Sequence, residues 1–343
     1  MTAKVEFGCL PTAIGSMPHT DATEACALVA KYLPDLPAWP QLPRRSHVEN
    51  MYIQYSEGFP GAVVEGSKIH VERSGEFDEQ LEKLYNVAAE NNSEDYGISP
   101  AYAAGLHAFL SLKEQHPRMV KGQITGPISF GLCVTDHEQR GIIYDELLAD
   151  AAARFLKLKA LWQERFLRNI SRDTLIFFDE PYLASLGSAF VAISTEQVRA
   201  LLEEALSGLQ GLKGVHCCGA TDWSLLLKSS IDVLSFDTYT YADSLSCYPA
   251  EVKAFLQRGG TIAWGIVTND EESLKKETVA SLYDRLGEAL APFTRDGISF
   301  KQLIAQGILT PSCSLASMSV EAAESTLQLL AELSAKIRGK YTV

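Results

Sequence analysis

Short runs rich in β-branched and aromatic residues alternate with amphipathic segments along the chain. Each run ends in a polar or Gly/Pro cluster, and the apolar positions of the intervening segments recur every three or four residues, as on one face of a helix. This alternation is typical of parallel strands connected by helices. The predicted strands are residues 12–17, 61–65, 120–125, 174–179, 214–218, 233–237, 261–267 and 308–313.

Eight β/α alternations are compatible with a closed (β/α)8 barrel or with an open doubly wound sheet. The barrel is favoured because at least six predicted strands end in chemically functional residues, and a barrel brings all these ends to one mouth. The phosphate-binding turns GxGxxG and GK[ST] do not occur. We therefore expect residues 1–343 to form a single α/β domain, a TIM-type barrel. The proline-rich stretch 34–43 is expected to be an extended N-terminal excursion outside the barrel.

Composition narrows the classes of function. The net charge is −13 and Lys and Arg do not cluster, so we expect no nucleic-acid partner. No run of apolar residues is long enough to span a membrane, and the first residues lack the apolar core of a signal peptide. The 7 cysteines, an odd number, indicate reduced thiols, any special ones serving metal binding or catalysis. The expectation is a cytoplasmic protein without a membrane partner.

The strongest local signal is the sequence His216-Cys217-Cys218 at the end of a predicted strand. Because side chains alternate between the two faces of a strand, His216 and Cys218 point to one face and Cys217 to the other. Two more predicted strands end in Asp237 and Cys313. These side chains can supply nitrogen, sulfur and oxygen ligands to Zn²⁺, although buried histidine and cysteine are also common without a metal.

Two thiolates and one carboxylate would favour thiol chemistry at such a metal. They give the site a total charge of about −1, and an electron-rich zinc ion activates water poorly. The metal can still lower the pKa of an incoming thiol and hold it as a thiolate. Transfer of an alkyl group to a substrate thiol therefore fits this ligand set better than hydrolysis.

Six short motifs follow one another along nearly the whole chain. They are Ala-Ile-Gly-Ser-Met-Pro at 13–18, Ile-Thr-Gly-Pro at 124–127, Phe-Asp-Glu-Pro at 178–181, His-Cys-Cys at 216–218, Asp-Val-Leu-Ser-Phe-Asp at 232–237 and Pro-Ser-Cys at 311–313. In this order they resemble the C-terminal catalytic barrel of cobalamin-independent methionine synthase. That family lies in a larger group with uroporphyrinogen decarboxylase and zinc-dependent corrinoid:thiol methyltransferases.

The resemblance implies a zinc-dependent transfer of a methyl group to homocysteine, giving methionine. It implies that His216, Cys218 and Cys313 bind zinc, and Asp237 stands where methionine synthases carry a glutamate ligand. The substrate-binding residues that it implies are Ile14, Gly15 and Ser16 for the carboxylate, Asp179 for the ammonium group and Glu49 as a second carboxylate.

Three differences from that family concern the methyl donor. Methionine synthase has a second, N-terminal barrel, which we do not expect in this chain. The tryptophan that stacks on the folate is replaced at or near Cys133, and the segment 264–270 has no histidine for proton transfer. Since methyl transfer from cobalt needs no protonated leaving group, a methyl-corrinoid, on a corrinoid protein, is favoured over methyltetrahydrofolate.

Three other functions are compatible with the sequence. A different thiol acceptor such as coenzyme M has no ammonium group and would leave Asp179 without its expected partner. A decarboxylase of the uroporphyrinogen type would need basic side chains for several carboxylates and no zinc. A non-catalytic protein that stores zinc or escorts a corrinoid is the third possibility.

Overall fold

Seven parallel strands form one curled sheet in the computed structural model, which describes residues 6–188 and 191–341. A separate antiparallel hairpin contributes two more strands. In chain order the strands are β1 (Leu10–Pro11), β2 (Ala62–Glu65), β3 (Lys68–Val71), β4 (Val120–Thr125), β5 (Thr174–Asp179), β6 (Leu212–Cys217), β7 (Val233–Phe236), β8 (Thr261–Val267) and β9 (Gly307–Pro311).

The order of strands in the sheet follows the chain. From β4 to β9 each strand pairs with the next in parallel, and β9 then pairs with β1. The carboxyl ends of the strands consequently lie on one side of the sheet. The α/β class and a curled parallel sheet are confirmed.

The gap between β1 and β4 is bridged by residues 37–41. The Gln41 N–H donates to the Gly15 carbonyl (3.1 Å), and the Gln41 carbonyl accepts from the Met17 N–H (2.9 Å). On the other side, the Trp39 N–H donates to the Lys121 carbonyl (3.3 Å). Both edges of the seven-stranded sheet are thus connected through this segment.

Three sequence-based expectations are therefore wrong. Residues 61–65 belong to the β2–β3 hairpin, outside the main sheet. The proline-rich stretch is extended as expected, but it lies between the sheet edges rather than outside them. The first strand pairs at Leu10–Pro11 instead of 12–17. Proline has no N–H to donate, so residues 37–41 form isolated bridges rather than a continuous ladder, and their composition conceals the position they occupy.

Helices connect the strands. In chain order they are α1 (Ala22–Tyr32), α2 (Phe77–Ala89), α3 (Ala104–Ala108), α4 (Pro127–Cys133), α5 (Glu146–Leu167), α6 (Thr195–Leu206), α7 (Trp223–Leu227), α8 (Thr238–Ser246), α9 (Pro249–Gln257), α10 (Glu271–Leu274), α11 (Val279–Arg295), α12 (Phe300–Ala305) and α13 (Val320–Tyr341). Short 3₁₀ helices occupy His47–Glu49, Phe109–Gln115, Ile142–Tyr144 and Pro181–Ser185. Among the described helices, none has both the length and the apolar character needed to cross a membrane.

Two apolar cores lie on the two faces of the sheet. Ile176 and Phe178 of β5 belong to the large core shared with the helices. The alternate residues Leu175 and Phe177 belong to a small core in which most, but not all, members are strand residues. Since successive side chains point to opposite faces, the small core is the inner floor of the curled sheet. Polar residues nearer the carboxyl ends lie above this floor.

Candidate metal centre

His216 lies next to the end of β6 with its ring inside the curled sheet. It is 3% exposed, and burial lowers its pKa to about 3, so the ring is neutral at pH 7. Its Nδ1 lies 3.0 Å from the Ser235 hydroxyl of β7, whereas its buried Nε2 has no hydrogen-bond partner in the described structure. A neutral ring with Nδ1–H bonded to Ser235 presents the Nε2 lone pair to a ligand.

Two cysteines complete a compact group with this histidine. One ligand atom each from His216, Cys218 and Cys313 lie within 4.8 Å of one another. Interaction with the neighbouring Cys313 thiol lowers the pKa of the Cys218 thiol to about 7, and interaction with Cys218 raises the pKa of Cys313. Cys217 is fully buried in the core on the helix side, as alternation along the strand predicts.

Cys313 reaches the group from a loop, two residues beyond the end of β9. The loop is fixed on both sides of the thiol. The Ser312 N–H donates to the Val267 carbonyl (2.7 Å), and the Ser312 hydroxyl donates to Asn269 Oδ1 (2.9 Å). The Asn269 amide then donates to the Ser314 carbonyl (3.0 Å). Segment 264–270, which lacks the histidine of the methionine synthases, instead holds the loop that carries Cys313.

Asp237 lies at the carboxyl end of β7 but has a structural partner. Its Oδ1 accepts from the Thr240 N–H (2.9 Å) and caps the start of α8. It is not a member of the three-residue group, although its charge acts on Cys218. Coordination by Asp237 therefore stays a prediction.

The donor set fits zinc. A neutral imidazole with an unpartnered Nε2 and two thiols are the ligands that Zn²⁺ binds tetrahedrally, and three protein ligands leave one position for a substrate. The contact between His216 Nδ1 and the Ser235 hydroxyl can fix the orientation of the ring, as hydrogen bonds at the second ring nitrogen do for metal-binding histidines. Ser235 was not among the predicted site residues, although the alternation of β7 places it on the same face as Asp237.

The segment expected to hold a carboxylate lies beside this group. No hydrogen bond in the described part of the chain uses the N–H of Gly15 or of Ser16. The Ser16 carbonyl accepts from the Leu315 N–H (3.0 Å), which ties the segment to the Cys313 loop. Gly15 has a φ of 151°, and a Cβ there would overlap Gln123. Two free N–H groups in succession are suited to bind an anion.

Asp179 ends β5 directly opposite His216 in the parallel register. It is 7% exposed, and its Oδ1 has no hydrogen-bond partner in the described structure. Burial raises its pKa to about 7, against the effect of the Lys121 ammonium group, whose own pKa burial lowers to about 7. A cationic group of a ligand would satisfy the free oxygen and stabilise the carboxylate. Its role in substrate binding stays a prediction.

Glu49 is also buried with a free oxygen. It ends the 3₁₀ helix His47–Glu49 and is 1% exposed. Its Oε1 accepts from the Arg45 guanidinium (2.7 Å), while its Oε2 has no partner among the described residues. Its contact with a substrate remains a prediction.

Glu180, which follows Asp179 in sequence, has a structural role instead. Its carboxylate accepts from the N–H groups of Ile128 (2.9 Å) and Ser129 (2.8 Å) and from the Ser129 hydroxyl (2.6 Å). These contacts hold the first turn of α4 against β5. The two adjacent carboxylates therefore have different surroundings. Glu180 accepts three hydrogen bonds, whereas Asp179 has an oxygen with no partner among the described residues.

Aromatic side chains surround Cys133 at the end of α4. The rings of Tyr52 and Tyr182 lie 6.5 Å apart at 57°. Burial raises the pKa of the Cys133 thiol, and the two tyrosines act in the opposite direction. Tyr52 and Cys133 also line a cavity of about 550 Å³, together with His70 of the β2–β3 hairpin. The position at which the sequence resemblance implies a replaced tryptophan is thus a partly aromatic surface that borders a cavity.

No family model and no curated protein matches the sequence. Solved structures do match the fold. A B12-independent methionine synthase from Shewanella sp. W3-18-1, in complex with selenomethionine, has a TM-score of 0.61 and 16% identity, covering 97% of this chain and 99% of that chain. A methyltransferase from Methanosarcina mazei has a TM-score of 0.56 and 14% identity, covering 97% of this chain and 95% of that chain.

These likenesses establish a common fold at low sequence identity. They cover nearly all of both chains in each pair, so the whole architecture is shared rather than a sheet fragment. The resemblance expected from the six motifs is confirmed at the level of fold: the chain has the TIM-barrel-like fold of B12-independent methionine synthase.

Proposed function

We propose that this chain is a zinc-dependent methyltransferase that transfers a methyl group to the thiol of homocysteine. The observation that carries the proposal is the group formed by His216, Cys218 and Cys313, in which His216 Nε2 is buried with no partner among the described residues. Zinc bound there would lower the pKa of a thiol in the fourth position and hold it as a thiolate.

The residues of the chain would bind and orient the amino acid. The free N–H groups of Gly15 and Ser16 are donors for its carboxylate, and the free oxygen of Asp179 is an acceptor for its ammonium group. The thiolate sulfur would attack the methyl carbon in line, forming the S–C bond as the bond between methyl and donor breaks. Fixing both ends of the amino acid lowers the entropic cost of that geometry.

For the donor we propose a methyl-corrinoid, carried by a corrinoid protein. Cleavage of the methyl–cobalt bond leaves the electron pair on cobalt, so no acid is required at the leaving group. This is compatible with segment 264–270, whose Asn269 is engaged in holding the Cys313 loop. The open surface around Tyr52 and Cys133 offers room for a large donor.

A methyl-transfer assay tests the acceptor and the donor together. We expect the zinc-loaded protein to methylate L-homocysteine from methylcobalamin faster than from methyltetrahydrofolate, and to prefer L-homocysteine over coenzyme M. The Cys313→Ala variant should lose this activity. Equal rates from both donors would refute the corrinoid proposal, and a preference for coenzyme M would refute homocysteine. Full activity of Cys313→Ala would exclude the proposed metal site from the reaction.

A further inference from the structure

Lys121 is a fully buried lysine on the inner face of β4. Its exposure is 0%, and its ammonium nitrogen lies 4.5 Å from the centre of the Phe177 ring, which is part of the apolar floor. Removing an ammonium group from water is costly, and an apolar side chain of similar length would fill this place at a lower cost. The contacts of the ammonium group therefore call for an explanation beyond packing.

Its strongest contact is with the segment expected to bind a carboxylate. Lys121 Nζ donates to the Ile14 carbonyl (2.6 Å) and to Gln123 Oε1 (3.2 Å). In a trans peptide the carbonyl of one residue and the N–H of the next point in opposite directions. With the Ile14 carbonyl directed at Lys121, the Gly15 N–H points away from it.

The second partner of Lys121 is electrostatic. Lys121 and Asp179 lie on the adjacent strands β4 and β5, and each charge shifts the pKa of the other group towards its ionised form, although the two side chains form no direct ion pair in the described part of the chain. The Asp179 Oδ1 has no hydrogen-bond partner among residues 6–188 and 191–341. Lys121 supplies counter-charge to the carboxylate without occupying the oxygen that a ligand would use.

We propose that Lys121 is a positioning residue for an amino-acid substrate, which it prepares by anchoring the Ile14 carbonyl and by supplying the counter-charge for Asp179. The first contact orients the N–H groups that meet the carboxylate, and the second keeps an anionic partner ready for the ammonium group. This inference rests on the proposed function, since it concerns how the same site selects a thiol that carries both groups.

Four thiols distinguish the effect of Lys121 on binding of the carboxylate from its effect on binding of the ammonium group. Binding is measured by calorimetry on the zinc-loaded protein with L-homocysteine, 4-mercaptobutyrate (carboxylate only), 3-mercaptopropylamine (ammonium only) and 1-propanethiol (neither). In Lys121→Met, the affinities for the first three thiols should fall by about tenfold or more. Each of these thiols loses a contact with the Gly15 and Ser16 N–H groups, which Lys121 positions, or with the Asp179 carboxylate, for which Lys121 supplies the counter-charge. The affinity for 1-propanethiol should not change.

Lys159 offers a matched control. It is 1% exposed, donates to the Gly97 carbonyl (2.8 Å) and lies 5.2 Å from the centre of the Phe155 ring, so its surroundings resemble those of Lys121. It lies on α5, outside the site. Lys159→Met should affect stability without changing the relative affinities of the four thiols.

The outcomes distinguish the inference from the function on which it rests. If the unsubstituted protein binds L-homocysteine no better than 1-propanethiol, the proposed amino-acid substrate is wrong. If it does prefer L-homocysteine and Lys121→Met keeps that preference, only the role of Lys121 is wrong. If Lys121→Met fails to fold, Lys121→Gln replaces it, because its side chain is uncharged and one bond shorter than that of lysine. The affinities for the first three thiols should fall by a similar factor in Lys121→Gln. Unchanged affinities in that variant would overturn the inference.

Discussion

The imidazole of His216 makes one hydrogen-bonding contact, through Nδ1. With Nδ1–H directed at the Ser235 hydroxyl (3.0 Å), the lone pair lies on Nε2, which has no partner among the described residues. The opposite tautomer would bury an unsatisfied N–H. In the tautomer with Nδ1–H, a metal ion at Nε2 would use the lone pair that has no other partner.

Ser235→Ala should therefore weaken zinc binding while leaving the fold intact. Loss of an outer-shell partner of this kind lowers metal affinity by about 10–100-fold. Competition with a chromophoric chelator measures the effect. Ser229→Ala is a matched control, because that buried serine donates to the Leu226 carbonyl (2.7 Å) at the end of α7. Equal zinc affinities of the two variants would show that Ser235 does not orient the ligand.

At the scale of elements, the first turn of α4 depends on one glycine. A Cβ on Gly126 would overlap the Glu180 carboxyl group, which accepts the three hydrogen bonds from Ile128 and Ser129. The motif Thr-Gly-Pro thus brings α4 close to β5. The glycine is required by close packing, since its φ of −75° is open to any residue.

Gly126→Ala should destabilise the protein by about 1–3 kcal/mol, because displacing Glu180 leaves buried donors unpaired. Gly287→Ala serves as the control, since nothing lies within 4 Å of a Cβ at that position in α11. Alanine there should be neutral or stabilising by up to about 1 kcal/mol. Urea unfolding of both variants measures the difference; a Gly126→Ala protein as stable as the control would contradict the packing argument.

The sequence predicts elements well where burial is complete. The bounds of β4, β5 and β8 agree with the predicted strands. β4 carries Lys121 and Gln123 within it, whereas β5 and β8 are nearly continuous apolar runs, as parallel strands covered on both faces usually are. The run at 61–65 has the same composition, but its residues are only partly buried and pair within a hairpin. Local composition indicates a strand without identifying its partner, which depends on contacts distant in sequence.

At the scale of the whole molecule, residues 37–41 connect the two edges of the sheet. Trp39 is fully buried, and its indole N–H donates to Gln163 Oε1 (2.9 Å). The Gln41 amide donates to Gln54 Oε1 (2.7 Å) and lies 3.2 Å from the Tyr55 hydroxyl. Side chains therefore secure a segment that has few backbone bonds of its own.

Hydrogen exchange tests this connection. We expect the N–H groups of Trp39 and Gln41 to exchange as slowly as those of β5, since all of them open only when the sheet does. The N–H groups of the β2–β3 hairpin, which lies outside the sheet, serve as the reference for local opening. Exchange of Trp39 and Gln41 at the rate of the hairpin would show that the segment is not part of the sheet closure.

The candidate site was predictable because carboxyl ends of parallel strands meet on one side. Strand alternation assigned His216 and Cys218 to one face and Cys217 to the other, as found. The loop that delivers Cys313 was not predictable, because its position depends on Ser312 and on a distant asparagine in the preceding loop. The role of Lys121 was not predictable either, because a lysine within a strand is usually exposed and nothing in the local sequence indicates that this one is buried.

Zinc content per chain tests the central claim most directly. The cysteines 217 and 218 are adjacent in sequence, yet only Cys218 belongs to the proposed metal group. We expect about one zinc ion per chain in the unsubstituted protein and in Cys217→Ala, and almost none in Cys218→Ala. Full zinc occupancy in a folded Cys218→Ala variant would contradict the account.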